Sequence, residues 1–193
     1  RRSSDLGKKT ILAHGVHFDD TEIPVVADRG CLVAHCPTSN LKLGSGQMDL
    51  QKYLDSGVKV ALGTDSVASN NSLSMISEMK VAALSAKATA HSVTAAKVED
   101  IFRLATRAGF DFFGLNAGVI TEGALADFIL VDLDSPFLTP NTDLTSHMVY
   151  AADSSCITDV FCDGKPVMIN GHVDHEEEIL SEFRTTCQKL GIR

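Results

Sequence analysis

The chain has 193 residues, 44% of them hydrophobic and 22% charged, with 14 Gly and 5 Pro; this is a globular composition, which argues against disorder, collagen and low-complexity arrays. Its 17 basic and 25 acidic residues leave a formal charge of −8, and the basic residues form only small pairs such as Lys8-Lys9, so nucleic acid and anionic membranes are poor partners. No run approaches the ~18 uninterrupted apolar residues of a membrane helix, and residues 1–5 carry charge with no apolar run behind them, unlike a signal peptide.

Three short apolar runs come first. Thr10-Ile11-Leu12-Ala13-His14 reads as a strand, followed by a helix capped at Asp19 or Asp20, running to about 28 and closed by Gly30. Cys31-Leu32-Val33-Ala34-His35 is a second strand, ended by Cys36-Pro37. A loop over 38–46, rich in Ser, Asn and Gly, precedes a helix over 48–56 with Gly57 at its end. Lys59-Val60-Ala61-Leu62-Gly63 is a third strand, ended by Thr64-Asp65, and Ser72 or Ser74 starts a helix over 73–90. Continuous apolar runs separated by helices predict buried parallel strands in βα units. Functional groups of such sheets gather at the carboxyl ends of the strands, and here the three strands end in His14, His35 and Asp65.

The later part differs. Thr94 is placed to cap a helix over 95–113, with Ile101, Leu104, Ala105 and Ala108 as a core-facing stripe. Strand-like pieces follow at 126–131, 157–162 and 166–170, with Asp163-Gly164 as a tight hairpin turn. Residues 171–174 form a turn, and 176–190 an amphipathic closing helix with acids in its first turn. The expected division is 1–115 for the α/β part, 116–174 for a small β segment and 175–193 for the C-terminal helix.

Taken singly, the polar residues permit more than one reading. Asp65 suits a divalent-metal ligand and proton acceptor, or an ordinary turn aspartate. His14 and His17 form HxxH, a pair that binds metal only if the two rings converge. His172 and His175, beside Glu176, Glu177 and Glu178, read as solvated residues of a turn. His35 and Cys36 are neighbours in a strand and point to opposite faces, so Cys36 reads as packing rather than as a thiol nucleophile. The segment Asn40-Leu41-Lys42-Leu43-Gly44 lines a polar site or forms an Asx turn. No P-loop, dinucleotide fingerprint or GxSxG elbow is present. Five Cys, none spaced as CxxC, suit a reducing, cytoplasmic setting better than a disulfide framework.

In order and spacing, Leu12-Ala13-His14-Gly15-Val16-His17, Ala34-His35-Cys36-Pro37-Thr38-Ser39-Asn40-Leu41-Lys42-Leu43-Gly44 and Leu62-Gly63-Thr64-Asp65 resemble strands six, seven and eight of the amidohydrolase superfamily. Within the chlorohydrolase and guanine-deaminase branch these segments most resemble the 5-methylthioadenosine/S-adenosylhomocysteine deaminases, and Ser69-Asn70-Asn71-Ser72-Leu73 favours that group over guanine deaminase. Leu104-Ala105-Thr106, residues 126–132 and residues 160–171 resemble that group's C-terminal segments. Ala124 departs from it, standing where the family commonly has Lys.

The resemblance implies an α/β fold: the C-terminal part of a (β/α)8 TIM barrel, about strands 6–8, with a small β-sandwich-type segment. It implies a divalent metal, zinc or alternatively iron, with Asp65 as metal ligand and proton acceptor. It implies that His14 orients and polarises the nucleophile or the departing group, and that His35, Ser69 and Asn70 lie near the substrate. The implied reaction is attack of a metal-bound hydroxide on the purine carbon bearing the amine, with loss of ammonia. The partner is then a small purine nucleoside or related heterocycle, and a homo-oligomer is expected. Triazine chlorohydrolysis and guanine deamination are alternatives, as is a non-catalytic scaffold or a subunit of a split enzyme. The family's His-x-His on strand one, and its His and Glu on strand five, have no counterpart here. A closed barrel needs roughly 250 residues, so this chain is expected to be inactive alone, its remainder lying upstream, cleaved off or supplied by another chain.

Overall fold

In the computed structural model, which describes residues 6, 7 and 9–192, the three apolar runs form one parallel sheet. Residues 1–5, whose lack of a leader-like pattern was noted above, lie outside the described residues, as do Lys8 and Arg193. Strands β1 (Ile11–Ala13), β2 (Leu32–His35) and β3 (Lys59–Leu62) stand in that order, with Leu12 beside Val33 and Val33 beside Val60. Helix α1 (Glu22–Asp28) connects the first pair, and α2 (Pro37–Lys42) and α3 (Leu50–Asp55) connect the second. After β3 come α4 (Val67–Asn70), α5 (Met75–Ala90), α6 (Val98–Thr106) and α7 (Ala108–Phe113). This alternation of strand and helix is the parallel βα arrangement that the apolar runs predict, with β2 buried and β1 largely exposed.

The cap chemistry is local and specific. Asp19 accepts hydrogen bonds from the backbone N–H groups of Thr21 and Glu22 ahead of α1, and Ser74 accepts from Ser77 at the start of α5. Two expectations need correction. The segment 38–46 is not all loop: α2 begins at Pro37, whose ring presets a helical φ at the first position. Burial of Ser39 and Asn40 then overrides the turn preference of a Ser/Asn-rich sequence. The helix expected over 95–113 starts at Val98 and breaks at Arg107 into α6 and α7. Ahead of it, Lys87 Nζ donates to the carbonyls of Ala95 and Ala96 and the Ala96 N–H donates to Gln51, so residues 95 and 96 are tied to neighbouring elements instead of entering the helix.

A second sheet, antiparallel, contains β4 (Phe128–Val131), β5 (Ile157–Cys162) and β6 (Lys165–Met168) in that order. Asp163 and Gly164 both have positive φ, as the two-residue hairpin turn requires. Helix α8 (Leu144–Tyr150), which the sequence did not flag, is capped by Asp143 and buries Met148 and Val149 against the core of the parallel part. Helix α9 (Glu176–Lys189) closes the described chain. Ile101, Leu104 and Ala108 are buried, as their helical spacing predicts. No helix among the described residues is long and apolar enough to cross a membrane.

The core reaches the carboxyl end of β1 through Tyr53 of α3. Tyr53 is 2% exposed and donates its hydroxyl hydrogen to the carbonyl of Gly15. Gly15 has φ +62°, and a Cβ there would lie 2.8 Å from Val33 Cγ1. Gly15→Ala combines left-handed strain with overpacking, and is expected to lower unfolding stability by about 2 kcal/mol, measurable by urea denaturation.

Candidate active site

The carboxyl ends of β1 and β3 and the start of α2 enclose an open cleft of about 520 Å³. His14 and Asp65 both line it, with Ser39 and Asn40 on one wall and Val16, His17, Phe18, Glu22 and Leu43 around the rest. His14 and Asp65 occupy the left-handed region, at φ 71° and 59°. A non-glycine residue pays roughly 1–2 kcal/mol for that conformation, and such residues concentrate where a side chain must be presented. The ladder enforces both turns: the His14 N–H donates to the Ala34 carbonyl and the Gly63 N–H to the His35 carbonyl, so the chain leaves each strand at a set point.

Asp65 is held by hydroxyls. Oδ2 accepts from Ser39 Oγ at 2.5 Å and from Ser69 Oγ at 2.8 Å. Among the described residues no side chain donates to Oδ1. The Ser39 and Ser69 hydrogen bonds, with the Ser66 backbone N–H, pull the Asp65 carboxyl down to about 2. The group is therefore a carboxylate at any physiological pH. Nδ1 of His14 is buried with no hydrogen-bond partner among the described residues.

His35 and Asn70 sit elsewhere. His35 is 1% exposed and lies beside Pro37, Asn40, Gln47, Met48 and Ser85, outside the cleft lining. It shares its face of β2 with Val33, which neighbours Tyr53 and Met48 on the helix side, because residues two apart in a strand point the same way. Burial, helped by the nearby His14, lowers its imidazole to about 4, so it is neutral at pH 7. Asn70 is 6% exposed and turns inward, donating to the Thr64 carbonyl at 2.7 Å and to Glu78 Oε1 at 2.6 Å. Ser69 reaches the site only through Asp65. Burial, reinforced by the Asp65 and Glu78 charges, pushes the Cys36 thiol up to about 11, which suits packing and not nucleophilic attack. His172 and His175 are exposed and lie near Glu176 and Glu178. Sequence reasoning passed over Ser39, whose only signal was its place in the Cys36-Pro37-Thr38-Ser39-Asn40 motif, and over Glu78.

A divalent metal is compatible with an ionised carboxylate whose Oδ1 accepts from no side chain among the described residues. A catalytic zinc takes about three protein ligands. Among the described residues no three His, Cys, Asp or Glu side chains converge, so Asp65 fits as one ligand of such a shell, with His14 beside it in the cleft.

Residues 2–167 match the model of the Amidohydrolase family. The chain belongs to that family. This amidohydrolase is 49% identical over 164 residues to a 5-methylthioadenosine/S-adenosylhomocysteine deaminase of Thermococcus sibiricus, a match covering 85% of the chain and 39% of that relative. Its fold superimposes on an adenosine deaminase from Xanthomonas campestris with bound zinc, with a TM-score of 0.90 and 35% identity, over 95% of the chain and 43% of that structure. It also resembles the zinc complex of an atrazine chlorohydrolase from Arthrobacter aurescens, with a TM-score of 0.86 and 26% identity, over 93% of the chain and 41% of that structure. The chain thus spans about two fifths of the relatives it matches.

Two outcomes are expected. In metal-free protein followed by carboxyl NMR, Ser39→Ala should move the Asp65 pKa up from about 2 toward 3.8. The stability contributed by a depressed carboxyl is present above its unfolded pKa and lost as pH falls through the folded one, so less of it should remain in this variant. For His35 the folded pKa of about 4 lies below the unfolded 6.5. The unfolded chain therefore binds the extra proton between these values, and stability should fall as pH drops from 6.5 to 4. Urea denaturation at several pH values should show a flatter profile for His35→Leu.

Proposed function

We propose that this chain is the C-terminal portion of a metal-dependent aminohydrolase acting on adenosine-type purine nucleosides, of the 5-methylthioadenosine/S-adenosylhomocysteine class. In this reading β1, β2 and β3 are the sixth, seventh and eighth strands of a (β/α)8 barrel, and β4–β6 belong to a small accessory β domain. The observation that carries it is an ionised Asp65, held at a parallel-strand end beside His14 in one cleft, within a chain 49% identical to a deaminase of that class.

Asp65 supplies one ligand to a divalent metal, most simply zinc, whose bound water has its pKa lowered toward ~7. The remaining ligands come from outside the described chain. Asp65 accepts the proton released as water oxygen adds to the purine carbon that carries the amino group. Its basicity is low, because two hydroxyls stabilise the anion, so it holds that proton briefly and returns it to the departing nitrogen. The carbon–nitrogen bond then breaks and ammonia leaves. His14 lines the same cleft as Asp65 and is positioned to hydrogen-bond the attacking oxygen or the leaving amine. Val16, Phe18 and Leu43 offer the cleft an apolar wall for a heterocycle.

The full-length, zinc-loaded protein should release ammonia from 5-methylthioadenosine, S-adenosylhomocysteine or adenosine, read by an ammonia-coupled assay. Chelation should abolish the activity and added zinc restore it. Asp65→Asn should lower kcat by roughly 10³-fold or more, since it removes a ligand and the proton acceptor together. A zinc-loaded protein that releases no ammonia from any of these nucleosides would exclude the reading.

A further inference from the structure

Helix α5 carries a carboxylate that takes no part in the cleft lining. Glu78 stands in its first turn and is 1% exposed. A buried carboxylate is costly unless its oxygens are hydrogen-bonded or paired. Among the described residues, no Lys, Arg or His pairs with it. Its oxygens bind two separate segments instead. Oε1 accepts from Asn70 Nδ2 at 2.6 Å, and Oε2 accepts from the Thr38 backbone N–H at 3.4 Å.

Those partners are the immediate neighbours of the two serines on Asp65. Thr38 precedes Ser39 in α2, and Asn70 follows Ser69 in α4. The Asn70 amide also grips the Thr64 carbonyl, one residue before Asp65. Glu78 is thus one bond from Thr38 and one from Asn70, and each of these adjoins a serine that holds Oδ2 of Asp65. We infer that Glu78 is a positioning residue: through Thr38 and Asn70 it keeps the Ser39 and Ser69 hydroxyls on one oxygen of Asp65, and so leaves Oδ1 for the ligand or the reacting water. The inference rests on the reading of Asp65 as the metal-binding, proton-accepting carboxylate. A residue that only filled space would be indifferent to whether the two serines carry hydroxyls.

The test is a mutant cycle in the full-length, zinc-loaded protein. Glu78→Gln keeps the size of the side chain but sets an amide NH2 against the Asn70 amide or the Thr38 N–H. E78Q is expected to lower kcat about tenfold or more with KM within about threefold and zinc content unchanged, as a misplaced catalytic group does. Added to S39A/S69A, the same change should alter kcat by less than about twofold, because coupled residues are not additive. A crystal structure of the E78Q variant should show a serine hydroxyl beyond hydrogen-bond distance of Asp65. An unchanged kcat in E78Q, or the same factor lost in both backgrounds, overturns the inference. If E78Q fails to fold, N70A breaks the same link from its other end and takes its place in the cycle. If wild-type protein releases no ammonia, the deaminase reading has failed. The crystal structure then decides alone, and both hydroxyls retained on Asp65 in E78Q would overturn the inference.

Discussion

Two serine hydroxyls meet on a single oxygen of Asp65, one from α2 and one from α4. The Ser39 bond joins residues 26 apart, so it exists only once β2 and β3 lie side by side and their following segments are docked. Most of what gives the cleft its chemistry depends on that junction. It sets the carboxylate's rotamer, keeps the group ionised and frees one oxygen. Hydrogen bonds to the charged form of an acid lower its pKa and restrain its geometry together, and here they are the largest influence on Asp65, with the nearby His14 a smaller one.

The rest of the parallel part supports this junction in layers. The strand ladder ends at set points and throws His14 and Asp65 into left-handed turns that neither would adopt alone. Behind them, Tyr53 secures the Gly15 carbonyl and Glu78 secures Thr38 and Asn70. Lys42 completes the brace, its ammonium donating to the Ala68 carbonyl and to the Asn71 side chain, which ties the end of α2 to α4. Buried polar groups are costly when unmet, so the bonds to the Gly15 carbonyl, Thr38 and Asn70 favour one arrangement of these loops, although among the described residues both ring nitrogens of His35, Thr38 Oγ1 and Asn40 Nδ2 have no partner.

Other surfaces are less finished. Ile11 on β1 is half exposed, and α9 presents Ile179, Leu180 and Phe183 to solvent. The chain covers about two fifths of its relatives' length. In the function proposed above, the remaining strands and the other metal ligands lie in that further length. Asp65, with an oxygen that no side chain among the described residues engages, and His14 beside it in the cleft are then groups awaiting that part.

Strand positions, and the polar residues that end them, were legible because a buried parallel strand must be an unbroken apolar run and its polar end must mark the exit from the sheet. Helix α2 was hidden, since Ser and Asn favour turns until burial overrules them. Helix α8 was hidden too, being a short segment whose only local sign is the Asp143 cap. The sequence by itself determined the strands and most of the helices, the family likeness, and His14 and Asp65 as the residues at the strand ends. The tertiary structure alone decided which neighbours join them. His35 faces the helices because strand alternation assigns it the side of Val33, and Asn70 turns inward toward Glu78. Ser39 reaches Asp65 from a different βα unit. Those choices rest on which side of a sheet is covered and on hydrogen bonds spanning up to 40 residues, and neither is a property of any local stretch of chain.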